Sequence, residues 1–230
     1  MKKNIKNFIT EYGVVVCLIL IFIFFGIMKP KFLTVTNLLN MLRQTSINGL
    51  LAIGMTFVVL TGGIDLSVGS IVGASGMFAA LVAREEMGLP WFLAILTGLL
   101  VGLLLGTVNG ILVAYCKVPA FIATMGMMSI ARGVTYMATD AKPVPGLQQA
   151  FLKIGGGSLG PIPIPIILLA IVLVICFIVL YKCPYGRYVY ATGGNALSAR
   201  ISGINVRLVT CSVYMISGVL AGLAGVILTA

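Results

Sequence analysis

Between Gln44 and Ala83 the chain carries a single charged side chain, Asp65. A water-soluble fold does not leave so long a run uncharged, and four further stretches, residues 12–28, 87–116, 154–181 and 208–230, hold no charge at all. A helix needs about 20 predominantly apolar residues to cross ~30 Å of hydrocarbon. Each of these gaps can hold one such helix, and the longest can hold two. Runs such as residues 168–180 are apolar on every side, unlike the alternating strands of a barrel, and a helix satisfies its own backbone in lipid. The composition agrees: 9% of residues are charged, against roughly 25% in a soluble domain. The expected fold class is all-α, a polytopic transmembrane helical bundle with about seven spanning helices and a broken region near residues 61–66. Residues 1–230 read as a single transmembrane domain.

The expected helices run over residues 12–28, 37–60 with Thr36 as N-cap, from the break to about Val82, 90–114, 119–138, 162–181, and from Leu208 onward. Arg43 lies in the first two turns of the second, where it can snorkel to an interface. Arg84, Glu85 and Glu86 mark a polar turn, residues 139–161 a Pro- and Gly-bearing loop, and residues 182–207 a basic loop. The N-terminal Lys2, Lys3 and Lys6, and Lys182, Arg187, Arg200 and Arg207 in the basic loop, place both segments in the cytoplasm by the positive-inside rule. Six crossings between them give matching parity. The same rule accounts for the net charge of +10 without nucleic acid, for which no aromatic-and-basic constellation is present. No small-x-small cleavage site follows the first apolar stretch, which reads as a retained helix. The chain stops at Ala230 in an apolar run without a polar tail, which reads as C-terminal truncation.

Several chemistries are excluded. The sequence has no histidine, and its five cysteines, Cys17, Cys116, Cys176, Cys183 and Cys211, lack metal-ligand spacing. Neither a zinc site nor a His-based triad can be built, no metal is expected, and the absence of paired carboxylates argues against a membrane enzyme. Gly193-Gly194 is not a phosphate loop, because no Gly-Lys-Ser/Thr follows it.

Four patterns stand out. Gly98, Gly102, Gly106 and Gly110 line one side of the fourth helix, and Gly218, Gly222 and Gly225 one side of the last. Small faces of this kind let helix backbones touch in lipid, either as fixed packing or as a sliding surface. In Thr61-Gly62-Gly63-Ile64-Asp65-Leu66-Ser67, two glycines break a helix just before the one acid. An ionisable residue inside the membrane marks function by default. Asp65 can bind substrate hydroxyls, cap the following helix through the N–H of Ser67 or Val68, or do both. As a titrating group it also permits an alternative, an ion-coupled secondary transporter. In the basic loop, Asn195 as N-cap and Gly203 as C′ residue bracket a helix of two turns, with Leu197 and Ile201 on one face. This segment suits either a plug for a groove in a partner or a basic loop held on anionic lipid heads. The 139–161 loop suits a docking loop for an extracytoplasmic partner or a plain connector.

Leu60 through Ser70 resembles the signature of bacterial ribose and simple-sugar ABC transporter permeases, and the likeness is closest to the ribose type. Four further stretches agree in order: residues 37–54; residues 119–124 with Arg132-Gly133; Gly186-Arg187 with Gly193-Gly194-Asn195; and Ala199-Arg200 through Asn205. Asp-Leu-Ser-Val-Gly alone is shared with branched-chain amino-acid permeases; the combination is more specific. The resemblance implies an inner-membrane permease that acts as a homodimer or pseudo-dimer. Its partners would be a cytoplasmic ABC ATPase and a periplasmic or lipid-anchored sugar-binding protein. ATP and magnesium would bind the ATPase, leaving this chain without a cofactor of its own. It implies that residues 182–207 are the coupling loop and 195–203 the coupling helix, with Arg187, Asn195, Ala199, Arg200, Ser202 and Gly203 at the ATPase interface. Thr61, Gly62, Gly63, Asp65, Ser67 and Thr124 would lie near the substrate pathway. Members of the family continue past the position of Ala230, so the stretch alone is not expected to transport.

Overall fold

The computed structural model describes residues 2–29 and 31–230, with side chains from Gly13 onward. Met1, Pro30 in the expected first loop, and the side chains of Lys2, Lys3 and Lys6 lie outside that description. The long elements are α1 (Lys2–Met28), α2 (Val35–Leu60), α3 (Val68–Val82), α4 (Trp91–Ala114), α5 (Ala120–Thr139), α7 (Ile164–Tyr181) and α10 (Val206–Thr229). Short pieces join them: a 3-10 turn (Glu85–Met87), α6 (Gln149–Gly156), an antiparallel pair β1 (Ser158–Leu159) and β2 (Ile162–Pro163), α8 (Pro184–Gly194) and α9 (Ala196–Ile201). Seven long helices therefore stand where seven spans are expected. Of these, α4, α7 and α10 are both long and apolar enough to cross a membrane, and residues 13–28 and α3 are shorter apolar helices. The first half of α2 is more polar because it carries Asn37, Asn40, Arg43 and Gln44, and α5 is more polar because it carries Thr124, Ser129 and Arg132.

The chain divides into two compact units, Met1–Leu42 and Arg43–Ala230. In the first, Phe32 meets Phe22 and Phe25 at ring-centroid distances of 5.5 and 5.6 Å. Helix α2 starts at Val35, and the Leu38 N–H already bonds the Thr34 carbonyl at 3.0 Å. Thr34 therefore holds the capping position, and Thr36, expected there, sits inside the first turn. The hydroxyl of Thr34 donates to the Lys31 carbonyl instead.

In the second unit α10 runs through every apolar cluster. Ala221, Ala224 and Ile227 meet Leu50 of α2 with Ile71 and Val72 of α3. Val209, Val213 and Tyr214 meet Phe57 and Val58 of α2 with Val189 of α8. Val226 meets Ala79, Ala83, Ala94 and Phe151. The α4 stripe meets Gly218 and Gly222 of α10 in one interface, while Gly225 of the second stripe packs instead on the α3 backbone at Val72 and Gly76. A Cβ on Gly218 would fall 2.9 Å from the Gly106 Cα, and one on Gly222 would fall 2.7 Å from the Gly98 carbonyl oxygen. At Gly110 it would meet the Cys211 carbonyl oxygen at 2.7 Å. The backbones of α4 and α10 thus touch along their length, held by van der Waals contact that no larger residue would permit.

Two expected loops are structured. Within 139–161, α6 buries Phe151, and Gly155 packs directly on the Ile227 carbonyl, so the triple glycine serves close approach as well as exposure. The Glu85 N–H bonds Gly146 O and the Gln148 N–H bonds Ala83 O, at 2.9 and 3.0 Å. Arg43 does not only snorkel: its guanidinium donates to the Gly156 carbonyl at the end of α6, at 3.2 Å. Within 182–207, α8 occupies what reads in sequence as loop. Pro184 opens it, where a missing N–H costs nothing.

Candidate functional site

After Leu60 the chain turns on Gly62, whose φ of +79° is a conformation glycine adopts without strain. The Gly62 and Gly63 N–H groups close on the carbonyls of Val59 and Val58, and the Thr61 hydroxyl bonds the Val58 carbonyl at 2.8 Å. The backbone then runs without regular structure to α3, and Asp65 points inward, 1% exposed. One carboxylate oxygen accepts the Ser67 N–H at 2.9 Å and the Ser67 hydroxyl at 2.5 Å. The other accepts the Ser217 hydroxyl of α10 at 3.2 Å. From α4, the Asn109 amide donates to the Ser67 hydroxyl at 2.8 Å. The Tyr214 hydroxyl donates to the Ile64 carbonyl at 3.3 Å. Thr124 of α5 reaches the same carbonyl at 3.5 Å while bonding Ala120 within its own helix at 2.8 Å.

The result is a buried polar hub that joins the break to α3, α4, α5 and α10. A carboxylate without a cation is tolerated in an apolar interior only when donors surround it, and three donors supply that here. Gly63 has its own reason to be glycine, because a Cβ would fall 2.6 Å from the Tyr214 hydroxyl. Of the residues expected near the pathway, Gly63, Asp65, Ser67 and Thr124 meet in the hub, while Thr61 and Gly62 form the turn above it. The Ser67 N–H bond expected of Asp65 is present, but Ser67 rather than Asp65 holds the N-cap position of α3, so Asp65 closes the turn just before the helix instead of capping it. Asn109, Tyr214 and Ser217 were not singled out from sequence. A lone Asn beside a glycine stripe was the available signal for the first.

Next to the hub lies the 182–207 segment. Gly193 of α8 packs directly on the Leu60 carbonyl, so α8 abuts the end of α2 just before the break. Tyr185 of α8 shares a 2.7 Å hydrogen bond with Ser212 of α10. Burial pushes its phenol above the ordinary range, partly offset by that bond, so it stays protonated at neutral pH. Asn195 caps α9, its side chain accepting the Ser198 N–H at 2.9 Å. Gly203, at φ +86°, ends the segment. The helix is six residues long, and Asn205 caps α10 three residues earlier than the expected start at Leu208, accepting the Leu208 N–H at 3.1 Å. Leu197 and Ile201 are 69% and 80% exposed, and Arg200 and Ser202 are exposed as well. Ala199 faces the other way, buried, and forms the base of α9 rather than its outer face. Arg187 is exposed on α8. An open groove of about 700 Å³ beside α9 is lined by Tyr115, Lys117, Leu197, Arg200, Asn205 and Arg207. Among the described residues the ion pair is Arg84–Glu86, far along the chain from these three cations.

Comparison with known proteins gives the arrangement a context. The family model described as branched-chain amino acid transport system / permease component matches residues 37–230. The ribose import permease protein of Haemophilus influenzae is 43% identical over 230 residues, covering 98% of this chain and 71% of that protein. The D-allose transport system permease protein of Escherichia coli is 40% identical over 228 residues, covering 99% and 70%. An inner membrane ABC transporter permease protein of Escherichia coli is 38% identical over 206 residues, covering 86% and 61%. No solved structure matches the chain. A match that begins in α2 and carries every residue of the hub makes this chain a membrane protein of the branched-chain amino acid transport system / permease component family.

Proposed function

We propose that this chain is the transmembrane permease part of an ATP-binding-cassette importer that moves a monosaccharide of the ribose type across the bacterial inner membrane. The observation that carries the proposal is the contact of Gly193 with the Leu60 carbonyl. It joins α8, and through α8 the short, doubly capped α9 with its apolar outer face, to the end of α2 just before the break around a buried acid. Leu197 and Ile201 are seated on a separate cytoplasmic ATPase, and the groove cations Lys117, Arg200 and Arg207 meet its acidic groups. A push on α9 then reaches the hub by two routes: through α8 to the end of α2, and through Asn205 into α10, which carries Tyr214 and Ser217. Only a difference in binding energy between two states can drive such a change. ATP hydrolysis on the partner supplies it, and this chain contributes no catalytic residue and no cofactor site.

In this reading the N-terminus and the α8–α9 end are cytoplasmic, a second permease copy completes the pathway, and a sugar-binding protein delivers substrate on the opposite side. The named relatives support the sugar class. The ion-coupled alternative has no support: both oxygens of the Asp65 carboxylate are engaged by protein donors, and the relatives are named as import or ABC permeases.

The test uses the permease at its full natural length in proteoliposomes with its ATPase and binding protein. Uptake of labelled ribose should require ATP and be abolished when residues 195–200 are replaced by a Gly/Ser stretch. Gly193→Val should insert normally yet lose at least tenfold in uptake. Uptake by the permease alone, driven by a proton gradient and lost in Asp65→Asn, would overturn the proposal.

A further inference from the structure

Arg132 is not accounted for by the hub or by α9. It lies on α5, a 20-residue helix that packs against α3 and α4. The five residues 115–119 connect α4 to α5, so the two run antiparallel as neighbours. Arg132 is twelve residues beyond Ala120, about 18 Å at 1.5 Å per residue. That is level with the midpoint of α4, which is about 36 Å long by the same measure. Helical Cα–Cβ bonds tilt toward the helix N-terminus, which lies farther away than the C-terminus, so Arg132 leans away from its nearer exit. Its side chain is exposed and has no hydrogen bond or ion pair among the described residues.

A bare guanidinium at that depth is costly against lipid, and such groups face bundle interiors or water-filled cavities. The face around it fits water better than lipid. Met125, Ser129, Arg132 and Tyr136 recur at helical spacing and are all exposed, while Ala123, Met127 and Ala131 on the other side are buried. Gly126 and Gly133 flank the face, and a Cβ at either would meet nothing within 4 Å. The α4–α10 glycines are explained by packing inside the chain; these two are not. One turn beyond Arg132 a cavity of about 400 Å³ opens between α3 and α5, lined by Gly73, Met77, Thr135, Tyr136, Thr139 and Lys142. Ligand sites of small molecules begin at about 300 Å³.

Resting on the sugar-permease reading above, we propose that the α5 face of Met125, Ser129, Arg132 and Tyr136 lines the water-filled passage and that Arg132 donates hydrogen bonds there to monosaccharide hydroxyls. A guanidinium offers five N–H donors in a plane, enough to span vicinal hydroxyls, and the Tyr136 ring supplies a flat apolar surface for the C–H face of the sugar. Midplane placement agrees with where transporters hold their substrates.

The experiment uses the full-length permease with its native cysteines replaced, assembled with ATPase and binding protein. Ser129→Cys should react with a charged, membrane-impermeant thiosulfonate, and sugar-loaded binding protein should slow that reaction at least threefold. Val174→Cys on α7 should not react. Arg132→Ala should cut ribose uptake at least tenfold, with Arg132→Lys recovering part of it. Two results overturn the proposal: Ser129→Cys inert to the reagent but cross-linking readily to its counterpart, which marks a dry contact between copies, or full ribose uptake by Arg132→Ala. Reactivity at Ser129→Cys is read without transport, so a wrong sugar or a wrong energy source cannot mimic either result.

Discussion

In α7 and α10, apolarity and burial part company. The sequence of α7 holds no glycine, serine or threonine, and only Pro165 of it is buried. Helix α10 is interrupted by Thr210, Ser212, Ser217, Gly218, Gly222 and Gly225, and more than half of it is buried. In water the ranking would reverse. In lipid an apolar side chain gains little by exchanging acyl chains for protein, so apolarity alone leaves α7 at the rim. Centrality goes to the helix that can approach others at backbone distance and carry hydrogen bonds, and α10 does both at Gly218 and at Ser217.

That contrast can be broken most directly at Gly218. Gly218→Leu must push α4 and α10 apart, because the obstructing atoms are backbone, and should cost about 3 kcal/mol or more. A thermal melt of the purified protein in detergent close to that of the unaltered chain would undo the argument. Next comes Asp65→Ala, which strands the Ser67 and Ser217 donors in an apolar interior and should cost about 2–3 kcal/mol. Asp65→Asn, keeping one acceptor, should fall between it and the parent in the same melt. Asn195→Ala removes the α9 cap for about 1 kcal/mol, seen as faster hydrogen exchange at the Ser198 amide with the melt little changed. Smallest is Val174→Ala on α7, expected within about 0.5 kcal/mol; a larger drop would mean that α7 is packed against something more specific than lipid.

What could be read from the sequence was what is local. Asn195, Gly203 and the α9 turns between them are set by caps a few residues apart, and the glycine stripes by helical periodicity. That the stripes face each other follows only from the fold, since about a hundred residues separate Gly106 from Gly218. The hub was half legible. Gly63, Asp65 and Ser67 lie within five consecutive residues and announce a break, but Asn109, Tyr214 and Ser217 reach it across 42, 150 and 152 residues. Helices α6 and α8 were hidden for another reason. Their glycines lower intrinsic helix preference, yet Gly155 and Gly193 are there because a neighbouring carbonyl leaves no room for a side chain.

The α4–α10 contact also bears on how the protein is made. Its glycine face on α4 leaves the ribosome long before its partner exists, because α4 ends at Ala114 and α10 at Thr229. At bacterial synthesis rates of roughly 5–20 residues per second, that interval is on the order of ten seconds. During it the groove of α4 must be filled by acyl chains or by a temporary companion in the insertion machinery, and α10 closes on α4 by displacing that occupant.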